Sequence, residues 1–249
     1  MVIDYNQGHI AEQYAEAKTQ PWRDRIETWS FLNLIGDLEG RSVLDAACGQ
    51  GFFTRILRRA GAAKVVGLDI SERMIEMALE QEASENLGID YVVGDARDIL
   101  AQQDFDLVVS AWLLVYARSR TELARMCRGL ATRVKPGGRF VTVTTNPGVY
   151  SFGPSPDYSK YGFEMKLADR AYDGAPIRFS LHLADSTLEI ENYYLPLEAY
   201  AAAFRDAGFR DFAVHYPEVS PNPQGNDDSA HWRNFLEHPI LVCMDCVKV

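Results

Sequence analysis

The sequence is poor in the features that would put this chain on a nucleic acid or in a membrane. Lys and Arg number 25 against 35 Asp and Glu, a formal net charge of −10 at pH 7. Phosphate backbones and anionic bilayer surfaces are met by basic patches, so neither is expected as the main partner. No apolar run reaches the ~18 residues that cross a bilayer, and the first residues show no signal-peptide pattern. Cysteine is scarce: Cys48, Cys127, Cys243 and Cys246 are the whole complement. The spacing Cys243-x-x-Cys246 has no second Cys/His pair to complete a zinc site, so no metal is expected. It lies in an apolar terminal run, 240–249, where a strand would turn the two sulfurs to opposite faces. A cytoplasmic protein with reduced thiols is expected. With 47% apolar and 24% charged residues, the 249-residue chain reads as one compact domain.

What is present centres on residues 42–69. Residues 42–46 form a short apolar run that suits a buried parallel strand. Gly49 and Gly51 then break the chain. A helix is expected over 52–60, with Phe53, Ile56, Leu57 and Ala60 on one face and Gly61 ending it. Residues 64–68 read as a second strand, with Asp69 at its carboxyl end. In open α/β sheets, ligands sit outside the carboxyl ends of the strands. A ribose held by Asp69 is therefore expected, with ligand packed against bare backbone at Gly49 and Gly51. A dinucleotide turn would read G-x-G-x-x-G, with pyrophosphate on the helix N-terminus. Here Thr54 takes the third glycine position, and Asp45 precedes the turn. An acid there suits an ammonium better than a pyrophosphate. S-adenosylmethionine carries a ribose, an ammonium and a sulfonium, and no phosphate.

Asp45-x-x-Cys48-Gly49-x-Gly51 resembles motif I of the class I methyltransferases. Ala47 replaces the first glycine of the usual D-x-G-x-G-x-G. The rest of the chain fits that resemblance. Ser71 is a good N-cap, and Met74, Ile75, Ala78 and Leu79 mark the buried face of the helix it opens. A third strand is expected at 89–93, followed by Gly94-Asp95-Ala96, which resembles the family's adenine-binding turn. The fourth strand is expected over 105–111. Ser119-x-x-Glu122 is a capping box before a strongly amphipathic helix. Lys135-Pro-Gly-Gly138 leads into the fifth strand, 139–144. Amino-group methyltransferases of nucleic acids carry N/D-P-P-Y/F after the fourth strand. Ser110-Ala111-Trp112-Leu113 stands there instead.

Four stretches are expected within the one domain. Residues 1–40 form an N-terminal helical cap, in which Ile10, Tyr14 and Ala17 share one helix face. A second helix starts at Pro21 and carries Trp22, Ile26 and Trp29 at helical spacing. Residues 41–145 form the cofactor-binding core. Residues 146–195 are a substrate-side insert, with Tyr150, Phe152, Tyr158, Tyr161, Phe163 and Tyr172 close together. Strands alternating over 178–183 and 186–194 would form a hairpin in it. Residues 196–249 supply a helix ending at Gly208, a strand at 211–216, a polar loop at 217–229 and a closing strand that pairs as a hairpin. The fold class is α/β, a Rossmann-like seven-stranded and mostly parallel sheet.

The resemblance implies S-adenosyl-L-methionine as cofactor and S-adenosyl-L-homocysteine as product. It assigns the methionyl end to Asp45, Ala47, Cys48, Gly49 and Gly51, with Tyr14 and Arg23 reaching the carboxylate. It gives the ribose to Asp69 and the adenine to Ile70, Met74, Gly94, Asp95 and Ala96, with Ala111 and Trp112 on the far side. The opening Tyr5-x-x-Gly-His-Ile-Ala-Glu, the Cys48-Gly-Gln-Gly-Phe-Phe53 turn, the run from Gly61 to Asp69 and Ala111-Trp112-Leu-Leu-Val-Tyr116 resemble methyltransferases of the toxoflavin-biosynthesis type. That likeness covers residues 1 to about 145 and fades in the insert. It implies a small, flat heteroaromatic acceptor, attacked at a ring nitrogen, with a phenolic or carboxylate oxygen as the alternative. Tyr116, Tyr150, Phe152, Tyr161 and His182 are the candidate acceptor-binding residues. Methyl transfer is governed by alignment and water exclusion, so a general base is optional. His182 and Tyr116 are the candidates for one, ahead of His231 and His9. A monomer or homodimer is expected. An NAD-binding oxidoreductase and a non-catalytic scaffold are the readings of another class.

Overall fold

Two helices open the chain: α1 (Gly8–Ala17) and a longer one that begins at Pro21 and ends as α2 (Trp29–Ile35). The second passes through a π-helical stretch, Arg23–Thr28. A wider turn shifts the apolar face, which is why the simple α-spacing breaks. Trp22, Ile26, Phe31 and Ile35 are buried, whereas Trp29 and Leu32 are only half-buried. In the computed structural model, residues 3–98, 105–153, 156–222, 225 and 228–249 are described. The loop expected at 217–229 is thus described only in part.

Strands and helices then alternate. They run β1 (Ser42–Ala46), α3 (Phe52–Arg59), β2 (Lys64–Asp69), α4 (Glu72–Glu85), β3 (Asp90–Val93), β4 (Phe105–Ala111), α5 (Arg120–Ala131) and β5 (Val134–Thr145). The insert supplies β6 (Phe163–Leu167), β7 (Ala175–His182) and β8 (Thr187–Tyr194). The chain closes with α6 (Leu197–Asp206), β9 (Phe209–His215), α7 (Ser229–Glu237) and β10 (Leu241–Lys248). The main sheet has the order β3-β2-β1-β4-β5-β10-β9. The first five of these pair in parallel, and β10 runs antiparallel to both of its neighbours. Strand order reverses between β1 and β4, so their outgoing loops diverge and leave a crevice.

Side-chain alternation sends each strand's residues into two apolar layers. Val43, Val109 and Cys243 pack on the face covered by the cap and the insert, and Leu44, Val108 and Cys246 pack on the face covered by α5 and α6. The C-x-x-C sulfurs therefore stand on opposite sides of the sheet.

Three expectations need correction. The insert is a three-stranded sheet, β6-β7-β8, and not a lone hairpin. β9 and β10 are antiparallel neighbours, but their connection carries α7, which seats Trp232 and Phe235 in the core. Strand β5 begins at Val134, so the Lys-Pro-Gly-Gly turn lies within its span.

α5 sits unusually close to the turn after β3. A Cβ on Gly129 would lie 2.5 Å from the Ala96 carbonyl oxygen and 2.7 Å from that of Arg97. Gly129→Ala gains ~1 kcal/mol of helix propensity and meets backbone that has little room to move. Overpacking of this kind costs ~1–3 kcal/mol. A net loss of stability is expected in urea unfolding, and a gain would show that the turn yields freely.

Candidate active site

The turn after β1 carries the site. Ala47, Gly49 and Gly51 all have φ in the left-handed region, at +62°, +55° and +80°. That explains a glycine at the first of these positions in the motif. Ala47 adopts the conformation at a cost of roughly 1–2 kcal/mol. Gly51 is also required by packing, because a Cβ there would lie 2.3 Å from Tyr91 Oη.

Asp69 ties this turn to the next helix. Its Oδ2 accepts from the Gly49 N–H at 2.8 Å and its Oδ1 from the Ser71 N–H at 2.9 Å. Ser71 Oγ in turn accepts from the Met74 N–H, capping α4. Burial pushes the Asp69 carboxyl above its ordinary range, against the pull of these N–H donors. A backbone donor that a pyrophosphate would want is thus already engaged by a carboxylate.

Asp45 stands behind the turn, 1% exposed, and accepts from Thr54 Oγ1 at 2.7 Å. The residue that breaks the dinucleotide pattern is the one that anchors this acid. Burial pushes the Asp45 carboxyl up to about 6; the Thr54 bond opposes this and the nearby Asp69 charge adds to it. Between pH ~4 and about 6, the folded state therefore holds a proton that the unfolded chain has released. Stability from this group is complete below pH ~4 and lost as pH rises through about 6, ~3 kcal/mol in all. Asp45→Asn is expected to remove most of the difference in unfolding free energy measured at the two ends of that window. An unchanged difference would assign it to other groups, Asp69 first.

A cavity with about 1350 Å³ of empty space opens beside these residues. Of the predicted cofactor residues, Ala47, Gly49, Asp69, Ile70, Met74, Gly94, Asp95 and Ala96 line one part of it. Tyr14, Ala111 and Trp112 line another, together with Tyr116. Ile70 is 62% exposed, an apolar face beside Asp69. Asp95 is held by Arg97, whose Nε lies 2.9 Å from each carboxylate oxygen. This pairing holds its carboxyl below the ordinary range, although partial burial opposes it. Asp45, Cys48, Gly51 and Arg23 are not among the lining residues. Cys48 is buried and its Sγ faces Gly67. Unforeseen lining comes from Ile3, Tyr5, Leu113, Arg118, Glu122 and Tyr193, as well as Arg97. Tyr5 Oη meets Tyr116 Oη at 2.7 Å, so the first described residues lie over the site.

A second, smaller cavity, with about 410 Å³ of empty space, shares Tyr14, Trp112 and Tyr116 with the first. Its other walls are Trp22 and Arg23 from the cap, Phe163, Phe179, Leu181, Ile190 and Asn192 from the insert, and Ile240. Between cap and site lies a buried ion cluster. Glu27 accepts from Arg23 Nη1 at 2.6 Å, Lys18 Nζ at 3.1 Å and Trp112 Nε1 at 2.9 Å. Trp112, at φ +66°, is thereby fixed in the common wall. An acid four residues after Arg23 was the available clue to this cluster.

The acceptor-side expectations are largely corrected. β7 turns Phe179 and Leu181 inward, so His182 points to the opposite face, 42% exposed and 3.5 Å from Glu164. Tyr161 stacks on Trp232 at 5.4 Å and donates to the His231 carbonyl. Tyr150 packs edge-on against Tyr194, and Phe152 against His238. These three belong to the packing beneath the insert, because sequence gives aromatic content but not which face it takes. Tyr116 does line both cavities, but burial pushes its phenol far above the ordinary range. That shift disfavours the base role expected of it. His9 and His231 are exposed and line neither cavity. Among the described residues, no cluster of three or more His, Cys, Asp and Glu forms a metal site, and no helix is long and apolar enough to cross a membrane.

A doubly wound seven-stranded sheet with a glycine turn and an acid at its crevice has the architecture of a nucleoside-cofactor protein. Residues 43–138 match the family model described as a methyltransferase domain. The chain is 30% identical over 162 residues to a ubiquinone biosynthesis O-methyltransferase of Stutzerimonas stutzeri, spanning 59% of this chain and 68% of that one. It is 25% identical over 185 residues to the N-demethylindolmycin N-methyltransferase of Streptomyces griseus, covering 73% and 76%. A solved S-adenosylmethionine-dependent methyltransferase from Clostridium acetobutylicum superposes with a TM-score of 0.67 at 14% identity, over 95% of this chain and 98% of that one. The chain belongs to the class I S-adenosylmethionine-dependent methyltransferases.

Proposed function

We propose that this enzyme methylates a small, flat heteroaromatic molecule at a ring nitrogen. The larger cavity takes the cofactor and the smaller one the acceptor. Asp69 would hold the ribose, Ile70 and Met74 the adenine faces, and Asp95 with Ala96 the adenine edge. Residues 1–40 act as the lid, 41–145 as the cofactor core and 146–195 as the acceptor side, closed by 196–249. The cofactor brings an activated methyl group on a sulfonium that leaves readily. The protein's part is alignment and exclusion of water.

The observation that carries this reading is the aromatic cavity sharing Trp112 and Tyr116 with the larger one. Flat walls from Trp22, Phe163 and Phe179 suit a flat ring. The same wall favours nitrogen over oxygen. A neutral ring nitrogen attacks through its own lone pair, whereas a phenol needs a base. No His, Asp or Glu is among the described residues lining the smaller cavity. An oxygen acceptor is the second reading, supported by the 30% identity to a ubiquinone biosynthesis O-methyltransferase.

Thermal unfolding with S-adenosylmethionine, S-adenosylhomocysteine or NADH tests the cofactor side, since a ligand of the native state raises the midpoint. A rise with the first two alone is expected. Mass spectrometry of matched azaheterocycles and phenols then tests the acceptor. Methylation confined to the phenols would overturn the nitrogen assignment.

A further inference from the structure

β8 presents Leu188, Ile190 and Asn192 on one face, because alternate strand residues share a side. The first two continue the apolar core. The third puts a carboxamide where the stripe calls for another aliphatic side chain. Asn192 is 4% exposed and lines the smaller cavity. Its Nδ2 is turned to Thr145 Oγ1 at 3.4 Å. Its Oδ1 is buried without a hydrogen-bond partner. A buried amide oxygen left unmatched opposes folding and calls for a reason, and a donor on a molecule held in the cavity would supply one. Leu would fill the position without that cost.

Among the described residues, the one charged group lining this cavity is Arg23. Its guanidinium lies over the Trp22 ring at 4.3 Å. Glu27, its ion-pair partner, also serves Lys18, so the three together carry a net positive charge. That charge disfavours a cationic guest.

We propose that Asn192 Oδ1 is a specificity-determining acceptor that selects neutral, flat molecules carrying an N–H or O–H donor, of the lactam type. Asn192 belongs to the smaller cavity alone, so a molecule held there turns its opposite edge to the wall shared with the cofactor cavity. This inference rests on the methyl-transfer reading, and its test separates the two.

Protein saturated with S-adenosylhomocysteine is titrated calorimetrically with two size-matched pairs. Oxindole and carbostyril carry a ring N–H where benzofuranone and coumarin carry a ring oxygen. Wild-type protein is expected to bind the N–H member of each pair at least ~10-fold more tightly, as one lost buried hydrogen bond implies. In Asn192→Leu the members of each pair are expected to bind alike, with nucleoside affinity unchanged. Tryptamine, a flat cation, is expected not to bind. Equal binding of the pairs by wild-type protein overturns the proposal, as does a preference that survives in Asn192→Leu or an absence of any binding to the loaded protein. The wild-type comparison decides even if the variant does not fold. Failure of S-adenosylhomocysteine itself to bind would instead overturn the placement of the cofactor.

Discussion

Asp69→Ala is expected to weaken S-adenosylhomocysteine binding at least ~100-fold in calorimetry, because hydrogen bonds to a charged group are worth ~1.5–3 kcal/mol each. The carboxylate is poised for two such bonds. Each of its oxygens already accepts one backbone N–H, from Gly49 and Ser71, which fixes its plane and leaves lone pairs for a ribose diol. Removing it also takes away the acceptor that orients the Gly49 peptide, so two parts of the site loosen together. Asn is no conservative replacement. Both backbone partners are donors, and an amide can offer an oxygen to only one of them. Asp69→Asn is therefore expected to lose most of the affinity as well. Loss of binding through unfolding can be told apart. Urea unfolding of each ligand-free variant measures that loss separately, since Gly49 and Ser71 also lose their acceptor. Unaltered nucleoside affinity in both variants would remove Asp69 from the site.

The sequence was most legible where local pattern and ligand chemistry coincide. Residues 42–69 are short apolar strands, a glycine break and a capped amphipathic helix, and these signals need no distant partner. β1, α3 and β2 lie within a residue of their expected bounds. The insert was harder to read for a physical reason. Tyr158, Tyr161 and Phe163 pack with Trp22, Trp232 and Phe235, residues more than 60 positions away from them in either direction. β6 is five residues within an aromatic-rich stretch, and its alternation shows only once β7 lies beside it. α7 contributes only two buried side chains, too few to declare a periodic face. His182 illustrates the limit of strand parity. The hairpin was foreseen, but the position of its inward face was not, and a shift of one residue decides whether a side chain sees the cavity.

Glu27→Ala is expected to be the most destabilising of these substitutions, by ~3–5 kcal/mol, since it leaves buried charges without their counterion. Lys18 and Arg23 are both buried, and Glu27 is the carboxylate paired with both. Burial alone would raise the Glu27 carboxyl. Arg23 and then Lys18 outweigh this and hold it below its ordinary range. The sign is opposite to that of Asp45: this stability is present above the ordinary carboxylate pKa and is lost as pH falls through the depressed one. Glu27→Gln separates charge from volume. It keeps an acceptor for Trp112 Nε1 but leaves the two cations, so it is expected to lose nearly as much as Ala. Adding Lys18→Met to Glu27→Gln removes one of those cations and is expected to recover part of the loss, as seen in urea unfolding. If Glu27→Gln were as stable as wild type, the cluster would be held by packing alone. The consequence then reaches the site, because the carboxylate that balances the cap's cations also accepts from the indole of Trp112, the wall common to both cavities.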